Sequence, residues 1–198
     1  MNVDLQTRLV NPGLKKLNII RIGTSGTVQA DVPVDTLLVS SAAIGLDALM
    51  HYYEQRLLPE DEQLLAAFKL ALPANASITP YLAAGSPELL QQLASDVPQG
   101  ITVTAPGFYA PQGRQVRAVN AWPQLLSTLQ HFELNGRRIT NLEMETAGIY
   151  GLSAALGHRA ISFNIILANR INHIFSKQPL QVMDKYIQQI LERITATI

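Results

Sequence analysis

Residues 139–170, ITNLEMETAGIYGLSAALGHRAISFNIILANR, contain one complete strand–helix–strand unit. Ile139–Leu142 is a short apolar run that reads as a strand. Glu143–Leu156 carries the spacing of a helix, and Gly157 just past it is a C-cap. Ala160–Ala168, AISFNIILA, is the most apolar segment of the chain and reads as a buried strand. A strand that returns to its sheet through a helix implies parallel pairing.

The same alternation extends in both directions. Upstream, Leu17–Ile22 (LNIIRI) predicts a strand that runs into a Gly23-Thr24-Ser25-Gly26 loop, and Val34–Ser40 predicts a second strand. Pro59–Leu72 places Leu64, Leu65, Phe68 and Leu72 at helical spacing behind an acidic first turn, where the helix dipole favours carboxylates. Ile78–Ala84 and Ile101–Ala105 predict strands. Ser86-Pro87 predicts a helix start, with a hydroxyl at the N-cap and proline at the first helical position. Trp122–Phe132 and Pro179–Ile194 predict amphipathic helices. Strands alternating with helices point to an α/β architecture, a mainly parallel sheet flanked by helices. No repeat or linker divides residues 1–198, so one domain is expected. In such sheets, ligands bind at the carboxyl ends of strands.

Composition sets the bounds. Of 198 residues, 47% are hydrophobic and 15% charged, enough for a packed core. Lysine plus arginine and aspartate plus glutamate both number 15, and a net charge of zero gives no electrostatic basis for nucleic-acid binding. There is no cysteine, which excludes disulfides, thiolate metal sites and a cysteine nucleophile from these residues. The histidines His51, His131, His158 and His173 fall in no metal-ligand spacing, so no metal is expected. No apolar run approaches the roughly 20 residues that span a bilayer, and Met1–Arg8 lacks the layout of a signal peptide. The expectation is a cytoplasmic protein with no membrane or nucleic-acid partner.

Four segments at strand ends can carry chemistry. Arg21-Ile22-Gly23-Thr24-Ser25-Gly26 combines a planar cationic donor with hydroxyls and small residues, a pattern suited to phosphate oxygens and equally compatible with an ordinary glycine-rich turn. Gly107–Arg114, GFYAPQGR, offers the acceptor and donors of Gln112, the donors of Arg114 and the flat ring of Phe108. Such a set can read the O2–N3–O4 edge of uracil, or form a solvated loop. Glu143 and Glu145 flank Met144. They can accept from a sugar diol or stabilise a helix N-terminus, and they point about 160 degrees apart if both are helical. Leu167-Ala168-Asn169-Arg170 is informative by omission: no carboxylate follows the strand until Asp184, so no acid stands ready to protonate a purine N7.

Taken together, RIGTSG at 21–26, GFYAPQGR at 107–114, NLEMETAGIYGL at 141–152 and IILANR at 165–170 resemble, in order and spacing, the family I nucleoside phosphorylases, and within them the uridine phosphorylase branch. The resemblance implies a three-layer α/β/α fold around a central mixed sheet. It implies that Arg21 and Thr24 contact phosphate, that Phe108, Gln112 and Arg114 hold uracil, and that Ser25 and Gly26 border the nucleoside. Leu167 and Ala168 would form an apolar wall at the base, and Glu143, Met144 and Glu145 would line the ribose, with Glu145 taking its hydroxyls. Arg21, Gln112, Arg114 and Glu145 would carry the catalysis. The reaction implied is uridine plus phosphate giving uracil and ribose 1-phosphate, in pyrimidine salvage. It needs no cofactor beyond phosphate as co-substrate, and the assembly implied is a homo-oligomer of dimers, up to a hexamer.

One departure stands out. Family members carry a long segment before the RIGT strand, with a Gly-Asp-Pro phosphate loop; here Arg21 is only 20 residues from Met1 and no Gly-Asp-Pro occurs. The chain is expected to correspond to the C-terminal two-thirds of such an enzyme, lacking the N-terminal strands, with low activity of its own. Two alternatives accompany the enzyme reading. One is a non-catalytic protein that binds nucleoside or only assembles. The other is a family member acting on a purine or thio-nucleoside.

Overall fold

The structure, a computed structural model, describes residue 13 and residues 16–74 and 76–196. Met1–Arg8, read above for a leader, lies outside the described residues. The strands are β1 Asn18–Thr27, β2 Leu37–Gly45, β3 Tyr81–Ala84, β4 Gln99–Thr104, β5 Glu133–Leu134, β6 Arg137–Glu143, β7 Arg159–Asn169 and β8 Ile174–Phe175. The helices are α1 Pro59–Ala71, α2 Pro87–Ala94, α3 Leu125–His131, α4 Thr146–Ala155 and α5 Pro179–Thr195.

The sheet runs β3-β2-β4-β6-β1-β7-β8, with β5 paired to β6 as a hairpin. The predicted parallel pairing holds for β1–β7, β2–β4 and β4–β6. The longest ladder is parallel, but antiparallel pairs flank it, as the resemblance to a central mixed sheet implied. β1 meets β6 antiparallel, and β2 pairs antiparallel with β7 across Leu37↔Ile165 and Val39↔Phe163. The sheet is therefore mixed, and the β2–β7 pairing closes β1, β7, β2, β4 and β6 into a ring. Helices cover its outside. Leu64 and Phe68 of α1 and Leu125 and Leu129 of α3 pack with Ile101, Val103 and Leu142. Leu89 and Leu93 of α2 and Ile190 of α5 pack with Val39, Phe163 and Ile165. α4 instead lies against the opposite face of the sheet, where Ala147 and Tyr150 pack on Ala43 and Ala83, and Ala147 N donates to Thr104 Oγ1 at 2.9 Å. Among the described residues, no helix is long and apolar enough to cross a membrane.

Local chemistry sets the boundaries. Ser86 caps α2, its Oγ accepting from Leu89 N at 3.4 Å, with Pro87 at the first position. Gly157 follows α4 and donates to Ala154 O at 3.0 Å. The strand expected at Val34 begins only at Leu37, because Asp35 sits at φ 64°, a left-handed conformation no strand accommodates. The helix expected from Trp122 begins at Leu125, whose N–H bonds Trp122 O at 3.1 Å in a preceding turn.

The loop expected at Gly23–Gly26 is a correction. β1 continues through it to Thr27, held by its ladder to β7 with one irregularity at Ser25/Gly26. The glycines serve close approach rather than a turn. A Cβ at Gly23 would lie 2.5 Å from Arg21 Cζ, and one at Gly26 would lie 2.7 Å from Arg170 Nε. Each glycine makes room for a guanidinium to lie along the strand.

Candidate functional site

The ends of β1, β4, β6 and β7 frame a cavity of about 280 Å³. All the residues singled out from sequence border it: Arg21, Thr24, Ser25 and Gly26 from β1, Phe108, Gln112 and Arg114 from the segment after β4, Glu143, Met144 and Glu145 around the end of β6, and Leu167 and Ala168 from β7. Two more residues complete the wall, Leu142 and Arg170.

One end is built on Arg21. Its Nη2 lies 3.1 Å from Glu143 Oε2 and 2.6 Å from Glu145 Oε2. Its Nη1 donates to Asn164 Oδ1 at 3.2 Å and Ser162 Oγ at 3.3 Å. The cation is thus fixed on four sides, and half of its contacts are carboxylates. An incoming anion has to displace Glu145, the one of the two whose side chain is 54% exposed.

The two glutamates do not share a helix, contrary to one premise of the sequence reading. Glu143 is the last residue of β6, and Glu145 precedes α4. The Glu143 carboxylate caps α4, accepting from Glu145 N at 2.9 Å and Thr146 N at 2.9 Å, and from Thr104 Oγ1 at 2.6 Å. Burial raises its pKa above the ordinary carboxylate range, against the opposing pull of Arg21, Thr104 and the backbone amides. Glu143 borders the cavity with its oxygens already engaged, whereas Glu145 and Met144 face solvent.

The opposite end is a cluster of donors. Arg114 Nη1 donates to Gln112 Oε1 at 2.8 Å, and Arg170 Nη2 makes a short hydrogen bond to the same oxygen. Arg170 Nη1 also donates to Gln112 O at 3.2 Å, while its Nε is buried without a partner. Burial, reinforced by the neighbouring Arg114, pulls Arg170 down to about 10. Arg114 is lowered as well, chiefly by burial. Two guanidinium groups on one amide oxygen repel each other, and an electronegative ligand atom between them relieves that repulsion. In this arrangement the Gln112 oxygen needed to accept an N3–H is occupied, so a pyrimidine must displace one arginine from it. Phe108 is 53% exposed, but Arg114 Cζ stands 3.8 Å over its ring. A base stacks on the opposite face or takes the place of the guanidinium.

Arg170 is the functional candidate that sequence reasoning passed over. That reading noted only the absence of an acid after Ala168; the arginine two positions on carries the opposite charge into the same space. Among the described residues, no cluster of three or more His, Asp or Glu side chains could hold a metal ion.

Comparison with known proteins bears on the family and the fold. The model of the phosphorylase superfamily matches residues 5–196. A uridine phosphorylase of Thermococcus kodakarensis is 29% identical over 159 residues, 80% of this chain and 50% of that protein. A DeoD-type purine nucleoside phosphorylase of Myxococcus xanthus is 28% identical over 84% of this chain and 56% of its own length. The chain thus spans about half the length of the curated relatives it matches. A solved Trypanosoma brucei nucleoside phosphorylase, described as showing uridine phosphorylase activity, superposes with a TM-score of 0.80 over 98% of this chain and 72% of that one, at 24% identity. The mixed sheet, its flanking helices and a match running nearly end to end assign the chain to the phosphorylase superfamily.

Proposed function

We propose that this chain carries the nucleoside and phosphate site of a uridine-selective phosphorylase. The observation that carries the reading is the convergence of Gln112, Arg114 and Arg170 at one end of the cavity, with Arg21 and Glu145 at the other. A phosphate oxygen attacks C1′ of the ribose while the C1′–N1 bond breaks, and the electron pair of that bond leaves on uracil. Arg21 and Thr24 orient the phosphate once Glu145 turns away to accept from the ribose hydroxyls. Once the base has displaced an arginine from Gln112 Oε1, the three donors at the base end stabilise the charge that grows on O2 and O4. A uracil anion stabilised in this way leaves without a general acid, and inorganic phosphate is the only co-substrate.

The purine reading draws support from the DeoD-type relative. Against it stands Arg170, a cation at the position from which an acid would serve N7. The proposed enzyme also assembles through subunit contacts near Phe108 and Tyr109, both exposed; sedimentation showing only monomer at micromolar concentration contradicts that part. The deciding experiment is phosphorolysis of uridine and inosine side by side. Faster, phosphate-dependent release of uracil is expected, and faster release of hypoxanthine overturns the reading.

A further inference from the structure

The inside of the five-strand ring is polar. Asn164 of β7, Ser40 of β2, Thr102 of β4 and Asn141 of β6 are each at most 1% exposed, while their chain neighbours Phe163, Val39, Ile101 and Leu142 face the helices. Together with Arg21 and Ser25 of β1, they form one continuous chain of hydrogen bonds. Arg21 Nη1 meets Asn164 Oδ1 at 3.2 Å, Asn164 Nδ2 meets Ser40 Oγ at 2.8 Å, and Ser40 Oγ meets Thr102 Oγ1 at 2.5 Å. Thr102 Oγ1 then meets Asn141 Oδ1 at 2.9 Å, and Asn141 Nδ2 meets Ser25 Oγ at 2.7 Å. The path visits the strands in the order in which the ring closes and returns to β1 four residues from its start.

Its direction follows from one chemical fact. A guanidinium only donates, so Asn164 must turn its oxygen to Arg21 and its amide N–H to Ser40. Ser40 then has its proton available for Thr102, Thr102 for Asn141, and Asn141 turns its N–H to Ser25. This is the direction in which each hydroxyl proton inside the ring finds an acceptor. The reverse leaves the Ser40 proton buried without a partner, at a cost comparable to a lost hydrogen bond. Donors aligned head to tail also polarise one another, most strongly when a cation heads the chain. Ser25 stands last and lines the cavity. With one lone pair taken by Asn141, its own proton is left for the ligand. The geometry points to a directed relay through the ring, in which Asn164 and Asn141 are positioning residues for Arg21 and Ser25. It keeps the Ser25 proton off Asn141 and leaves it to donate to a carbonyl or phosphoryl oxygen in the cavity. Its ligand arm rests on the function proposed above; the proton directions do not.

Neutron diffraction from perdeuterated crystals reads those directions without any ligand. The expected map has the Ser40 deuteron on the line to Thr102, the Thr102 deuteron toward Asn141, and the Ser25 deuteron toward the cavity. A Ser25 deuteron pointing at Asn141 overturns the relay. Calorimetric titration with uracil and, separately, with inorganic phosphate then identifies which oxygen Ser25 serves. Ser25→Ala should weaken that ligand about tenfold, the net worth of roughly one hydrogen bond. Asn141→Asp, which turns an acceptor toward Ser25 and draws its proton inward, should weaken it equally, and the double variant no further. Additive losses contradict the relay. If the unmodified chain binds neither probe, the nucleoside reading fails, and the deuteron map still decides the relay.

Discussion

Arg21 Nη2 and Glu145 Oε2 lie 2.6 Å apart, so the cation proposed for phosphate and the carboxylate proposed for ribose neutralise each other until a ligand separates them. Glu145→Gln removes the competing charge from Arg21. Inorganic phosphate should then bind about fivefold tighter, the worth of roughly 1 kcal/mol for a partly exposed pair. Uridine should bind about tenfold weaker, because an amide is a poorer acceptor for a diol than a carboxylate. Titration calorimetry measures both, and a variant that weakens phosphate contradicts the exchange.

Arg114→Ala removes one of the donors directed at the base. It should lower kcat/KM for uridine phosphorolysis by the equivalent of about 2–4 kcal/mol, the range for one electrostatic donor. Equal loss for uridine and inosine would place Arg114 outside base recognition.

Arg170 illustrates a site built at the expense of the fold. Its guanidinium is lowered to about 10 by burial and by Arg114, and its Nε has no partner. Arg170→Met should therefore raise stability by about 1 kcal/mol, as buried charges replaced by apolar groups often do. The same change should weaken uridine binding. Thermal unfolding and titration together check this; a destabilised variant would show that its hydrogen bonds to Gln112 outweigh its desolvation.

Glu143 predicts a pH dependence. Burial raises its carboxyl above the ordinary 4.5, so the folded chain retains a proton that the unfolded chain releases. That contribution to stability is fully present below the unfolded value and is lost as pH rises through the raised folded value. Glu143→Gln cannot show this loss. As pH rises from about 4 towards neutrality, the urea stability of Glu143→Gln should improve relative to the unmodified chain. A constant gap contradicts the assignment.

Much of this was legible in the sequence. The segment 139–170 gave a strand, a helix and a strand because its apolar spacing changes period at Glu143 and again at Gly157. The site residues were legible because they cluster at strand ends. Ring closure was not, since the β2–β7 pairing joins residues more than 120 positions apart and leaves no local pattern. The continuation of β1 through Gly23 and Gly26 was hidden for a related reason: what each glycine accommodates is a side chain, and Arg170 comes from another strand end. The polar interior was equally hidden. Ser40, Thr102, Asn141 and Asn164 each sit among apolar neighbours and acquire meaning only from one another.

The cavity is proposed to recognise a pyrimidine nucleoside through Gln112, Arg114 and Arg170. Titration of the 198-residue chain with uridine and with inosine, each in the presence of phosphate, tests it most directly. Uridine should bind at least about tenfold tighter than inosine, a difference of roughly 1.4 kcal/mol set by the donors at the base end. Inosine binding as tightly as uridine, or neither nucleoside binding at all, would contradict it.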